Sequence, residues 1–182
     1  MGAENPRLRI WLESISNEVF FGRKTPERVL RAGKDFYFSD NDLVSMDGFI
    51  SVLLDWNSSI FSDQIFYGIF PGNRFSFNCS PGVIGCADGD FSDLFFEKIR
   101  QAFAGDGTVI VVSNAAIDWL IHIDLDNDFS VFSVDASFLG PRSALLNYFF
   151  GIREVKLAVQ GEGAVAHVYS KEFLARLESS YA

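Results

Sequence analysis

The chain of 182 residues is short of the side chains that most often carry chemistry, with two histidines and two cysteines. Cys79 and Cys86 lie in "NCSPGVIGC". Their spacing matches neither a paired zinc-ligand motif nor a redox dithiol, and two free thiols in a reducing compartment are expected, although Pro81, Gly82 and Gly85 would let the loop fold back. No Gly-x-Ser-x-Gly elbow occurs, which removes that nucleophile motif. The glycine-rich "AGDGT" precedes a strand, whereas a phosphate loop must follow one and open a helix. Apolar runs such as "GFISVLLDW" fall far below the ~20 residues of a membrane span. The opening "MGAENPRLRIWLESISNEVFF" has charges scattered through it, unlike a signal peptide, and Pro6 stands where a myristoylation signal wants Ser or Thr. These absences predict a cytoplasmic protein with no membrane association and no cofactor.

Basic residues are scarce where acids are dense. The net charge of -9 is distributed as +3 over residues 1–34, -13 over 35–135 and +1 over 136–182. Fifteen of the sixteen acids in the middle region are Asp. Asp favours caps, turns and strand ends because its short side chain bonds nearby backbone amides, so these carboxylates should decorate loops and element ends. A shared acidic face would repel nucleic acid and steer basic partners in. The single basic concentration, Arg7 to Lys34, could pair with the chain's own acids, and nucleic-acid binding is not expected. What the chain has in abundance is phenylalanine, 20 residues against 5 Tyr and 3 Trp. Rings without a polar handle belong mostly in a core.

The element pattern predicts an α+β fold: a single domain over 1–182, with a basic N-terminal helical pair at about 6–33 and an α+β body over 36–182. A helix is expected from Pro6 to Phe21, with Ile10, Leu12, Ile15 and Val19 as its apolar stripe. "TPERVLRAG" suggests a second, with Thr25 as cap and Pro26 at the first helical position. "SDNDLVSMDGFISVLLDW" suggests a third, starting at Asp40 or Asn41. "DQIFYGIF" and "RFSFN" read as a hairpin around "PGN". "DGDFSDLFFEKIRQAFAG" is the clearest helix, "TVIVVS" a buried strand, and Pro141 to Phe150 a helix. "EVKLAVQ" and "AVAHVYS" form a hairpin around "GEG", and "SKEFLARLESS" is a closing helix capped by Ser170. Hairpins and helices without a repeated βαβ rhythm argue for a largely antiparallel sheet built from hairpins or a meander, with several helices packed on it.

The window "DLDNDFSVFSVD", Asp124 to Asp135, carries acids at the first, third, fifth and twelfth positions of a calcium loop. Phe129 replaces the Gly required at the sixth position, Asp135 replaces the bidentate Glu, and strands flank the window, so a dedicated calcium site is rejected. "IDWLIHID" and "FSVFSV" instead predict a hairpin with a two-residue turn at Asn127–Asp128, pairing Ile123 with Phe132 and Ile121 with Val134. That register puts Ile121, Ile123, Leu125, Ser130, Phe132 and Val134 on one face and His122, Asp124, Asp126, Phe129, Val131 and Ser133 on the other.

Two functional expectations follow. The first is a non-enzymatic binding protein whose acidic face masks a basic protein partner, by class analogy an immunity-type inhibitor of a bacterial toxin such as a nuclease. Its contacts would be Asp124, Asp126, Asp128 and Phe129 at the hairpin tip, with Asp88, Asp90 and Asp93 at a helix start. The alternative is a small metal-assisted hydrolase using His122, His167 and Asp124, should two strands bring the imidazoles together.

Overall fold

Seven antiparallel strands form one sheet in the order β3-β2-β4-β5-β6-β1-β7, which makes the fold α+β, as the hairpin-rich pattern predicts. The computed structural model describes residues 6–31, 34–40, 43, 48–70, 72, 74–75, 80–84, 108–140 and 143–182. The strands are β1 (Asp35–Asp40), β2 (Ile65–Phe70), β3 (Ser80–Ile84), β4 (Val109–Asn114), β5 (Trp119–Asp124), β6 (Phe129–Val134) and β7 (Phe150–Gly151). The helices are α1 (Pro6–Glu18), α2 (Phe49–Ile60), α3 (Ile152–Val159) and α4 (Lys171–Tyr181). Among the described residues, no helix is long and apolar enough to cross a membrane.

Both faces of the sheet are covered, so every residue of β2, β4, β5 and β6 is buried. Strand alternation still sorts them. Phe66, Phe70, Val109, Val111, Leu120, Phe129 and Val131 face a first core with Trp11, Leu12 and Ile15 of α1, Val155 of α3, and Leu174 and Leu177 of α4. Ile65, Tyr67, Ile110, Val112, Trp119, Ile121, Ile123 and Phe132 face a second core with Phe49, Leu53 and Trp56 of α2 and with Leu139 and Leu145. On the first face a Cβ on Gly68 would lie 2.7 Å from the ring of Phe70, so any larger residue there would force that buried ring to shift.

The β5–β6 hairpin forms, with a longer loop than the sequence suggests. Asp124 pairs with Phe129, Ile123 with Ser130 and Ile121 with Phe132, leaving Leu125–Asp128 as a four-residue connection. The register is displaced by two residues, so each side chain keeps its expected face. β2 and β4 also lie where expected, but β2 pairs with Ser80–Ile84, further along the chain than "RFSFN". Residues 76–79 and the expected helix over "DGDFSDLFFEKIRQAFAG" lie outside the described residues.

Four other expectations are corrected. Segment 25–31 is a turn followed by irregular chain, not a helix: Phe20 N–H donates to Val29 O at 2.8 Å and Arg31 N–H to Glu18 O at 3.0 Å, so its later part folds back along the end of α1 with Leu30 bridged to Val19. Within α1, Trp11 takes the buried position expected of Ile10, which is 63% exposed. Residues 144–148 form a 3-10 turn ahead of β7, not a helix from Pro141. "EVKLAVQ" belongs to α3 and "AVAH" to a 3-10 turn, because Ile152, Val155, Ala158 and Val159 make a helical stripe and the Glu154 carboxylate accepts from Gly151 N–H at 3.0 Å at the helix start. By contrast α4 begins as the sequence indicates, with Ser170 Oγ accepting from Phe173 N–H at 3.2 Å.

The indoles, large and polar at one atom, are all satisfied. Trp11 Nε1 donates to Ser113 Oγ at 2.7 Å, Trp56 Nε1 to Phe138 O at 3.2 Å and Trp119 Nε1 to Asn57 Oδ1 at 2.9 Å. The Asn57 amide also donates to Asp63 O at 2.7 Å, tying the end of α2 to the core beneath it. Asn57→Ala strands the buried Trp119 N–H and should cost about 2–3 kcal/mol, read as a lower urea midpoint with an unchanged m-value.

Candidate functional site

Among the described acids of the middle region, Asp55 is exposed on α2, and the others lie at the ends of the sheet rather than on one of its faces. Asp124, Asp126 and Asp128 cluster at one end, around the β5–β6 loop. Asp35, Asp118 and Asp135 lie at the strand termini and turns of the opposite end, as does Asp63 beside the start of β2. This is the backbone-bonding placement that Asp favours. Asp35 accepts from Ala136 N–H at 2.8 Å, Asp63 from Gln64 N–H at 2.8 Å and Asp135 from Ser137 N–H at 2.8 Å.

The loop candidates have unlike roles. Asp124 is buried and accepts five hydrogen bonds: from Thr25 N–H at 3.3 Å, Thr25 Oγ1 at 3.2 Å and Asn127 Nδ2 at 2.8 Å, and from the backbone of Asp126 at 3.2 Å and Asn127 at 3.3 Å. It is the internal brace of the loop, not a surface contact. Asp126 is exposed and pairs with Lys24 at 2.9 Å, so part of the basic N-terminal segment meets the chain's own acids. Asp128 is exposed at the tip, with φ of 47°. Phe129, expected as an exposed anchor, is instead 1% exposed, with its ring 5.2 Å from Phe173, 5.6 Å from Tyr169 and 6.0 Å from Phe38. It is a core residue because the first face is covered by helices. Asp88, Asp90 and Asp93 lie outside the described residues.

The histidine constellation does not assemble. His122 is fully buried on the first face, between Val111 and Val131 in the sheet register, whereas His167 is exposed on its 3-10 turn. The expected strand for His167 is absent, and with it the geometry that would have joined the imidazoles. Among the described residues no three His, Cys, Asp or Glu side chains group as metal ligands. Neither ring nitrogen of His122 has a hydrogen-bond partner there. Burial drives its pKa down from 6.5 to about 4, with the Asp124 charge opposing only in part.

A second site, which no sequence motif marks, is a cleft of about 390 Å³ at the opposite end of the first face. Its walls are Ser14 and Glu18 of α1, Leu30, Arg31 and Lys34 of the returning segment, and Ala115 to Ile117 of the β4–β5 turn. Leu120 and Ser133 form its floor. The turn is firmly held. Asn114 Oδ1 accepts from Asp118 N–H at 2.8 Å, Asn114 Nδ2 donates to Asp118 Oδ2 at 2.8 Å, and Lys34 Nζ donates to Ile117 O at 2.6 Å and Asp118 O at 2.7 Å. Ile117 is thereby kept at φ of 59°, a left-handed conformation that costs a β-branched residue on the order of 1–2 kcal/mol. Lys34 is half-buried, and desolvation lowers its pKa against the opposing charges of Asp118, Glu18 and Asp135.

No protein-family model, curated protein or solved structure matches the chain.

The buried histidine sets a pH dependence. Its folded pKa lies below its unfolded value, so between about pH 6.5 and pH 4 the unfolded chain binds the extra proton and stability falls as pH is lowered. The expected loss across that window is up to about 3 kcal/mol. His122→Leu should flatten the upper part of this slope, above the carboxylate range, in denaturation series at stepped pH. An identical slope in both proteins would show that another group is responsible.

Proposed function

We propose that the chain is a non-enzymatic binding protein that presents acidic groups to a basic protein partner, in the manner of an immunity-type inhibitor of a basic toxin such as a nuclease. The observation that carries this reading is the construction of the β5–β6 loop. The buried carboxylate of Asp124 uses its five hydrogen bonds to fix Leu125–Asp128, and Asp126 and Asp128 stand exposed on that fixed frame. Charges held this way lose little conformational freedom on binding, and a local negative field raises the rate of encounter with a cationic surface. The net charge of -9 acts in the same direction over longer range. Asp126 would exchange Lys24 for a partner's Lys or Arg, while Asp128 supplies the leading charge.

The test begins with salt-graded capture from the native host and identification of a basic protein retained at low salt. The complex is then rebuilt from the two purified proteins. Asp128→Asn and Asp126→Asn together should weaken it by about tenfold, mainly through slower association, and the association rate of the native pair should fall steeply with ionic strength. Failure to retain any basic protein, or an affinity indifferent to both substitutions, counts against the proposal. A separate variant reports on the frame: Asp124→Ala should lower stability by about 2–4 kcal/mol, seen by thermal unfolding, because it strands buried donors of Thr25 and frees the loop.

A further inference from the structure

The cleft between α1, the residues Leu30, Arg31 and Lys34, and the β4–β5 turn brings together three charged side chains that make no ion pair among the described residues. Glu18, Arg31 and Lys34 all line it, yet no carboxylate stands within 4.0 Å of either cation there. Arg31 is braced instead by the Phe20 ring, its guanidinium carbon 4.7 Å from the centroid, which holds the group in place and leaves its N–H edge available. Lys34 spends two of its three ammonium donors on the carbonyls of Ile117 and Asp118, leaving the third. The Ser133 hydroxyl in the floor makes no hydrogen bond among the described residues, and Leu30, Ile117 and Leu120 give the cleft an apolar side.

We propose that this cleft binds a small organic carboxylate, its head group between Arg31 and Lys34 and its apolar body against Leu30, Ile117 and Leu120. A planar carboxylate accepts from both cations at once and restores the solvation that a half-buried ammonium has lost. The left-handed Ile117 fits this use. Its conformation is maintained by the Lys34 latch and the Asn114 brace, and it sets one wall of the cleft at a fixed distance from the cations. A volume of about 390 Å³ lies within the range of small-molecule sites and admits a ligand the size of an amino acid. Glu18, whose backbone carbonyl accepts from Arg31 N–H at 3.0 Å, also lines the cleft and would meet an ammonium group if the ligand carries one.

The probes are leucine, its deaminated counterpart isocaproate, and isoamylamine, which lacks the carboxylate. Each is titrated into the isotopically labelled full-length chain and followed by amide NMR. Leucine, isocaproate or both should shift the amides of Ile117, Leu120 and Ser133, with isoamylamine inactive. Arg31→Gln, at an exposed side chain whose backbone bond to Glu18 is untouched, should raise the dissociation constant about tenfold. Binding of leucine alone, abolished by Glu18→Gln, assigns an α-amino acid; equal binding of isocaproate assigns a simple carboxylate. Either result supports the proposal. Amides that stay unmoved by both carboxylates at millimolar concentration, or that respond equally to isoamylamine, overturn it, as does binding unchanged by Arg31→Gln.

Discussion

Covering both faces of the central strands is the constraint from which most other features follow. A strand with solvent on one side can leave its polar groups to water, but β4, β5 and β6 cannot. Each polar side chain on them must therefore find a partner inside the protein or bear the cost of having none. Ser113 receives the Trp11 indole, Asn114 braces the β4–β5 turn, and Asp124 gathers the β5–β6 loop and the Thr25 backbone. His122, fully buried, finds no partner for either ring nitrogen among the described residues. Its imidazole sits among apolar side chains and remains neutral because protonation there is too costly.

The same constraint links the N-terminal segment to the rest of the fold. Two carboxylates of the sheet ends and one tyrosine of α4 hold it: Asp124 binds Thr25, Asp126 binds Lys24, and the Tyr181 hydroxyl accepts from Val29 N–H at 2.9 Å and donates to Glu27 O at 3.3 Å. Residues 19–31 thus close the first core at its rim, between α1 and α4. Lys34 continues the line by fastening the β4–β5 turn. The basic and acidic regions that look separate along the sequence are interleaved in space.

Features that depend on neighbouring residues were readable from sequence. The alternation of β5 and β6, the Ser170 cap and the buried "TVIVVS" strand are local patterns, and the two faces of the hairpin survived a two-residue register change because face depends only on parity. Features set by distant contacts were not. "EVKLAVQ" satisfies both a two-residue and a helical period, and the choice between them is made by packing of α3 against α4. Phe129 and His122 share a face with the loop acids in the strand pattern, and nothing in a strand's own sequence states that helices will cover that face. The acidic loop was visible as a run of Asp, whereas the cleft joins α1, the segment to Lys34 and two turns or strands more than eighty residues away. No sequence spacing encodes such an assembly.

The outer strands of the sheet also govern what the protein avoids. Among the described strands β3 and β7 occupy the two edges, and β7 is two residues long. β3 carries Pro81, which has no N–H to offer a further strand. A fold whose interior strands are as apolar as "VIVVSN" or "WLIHID" holds segments well suited to cross-β stacking once exposed. The short edge and the proline-bearing edge make poor templates, so the intact sheet offers little for a second copy to extend. Self-association in this protein is therefore a matter of losing the helical cover over the interior strands, and conditions that loosen α1 or α4 would be the ones that render it prone to aggregate.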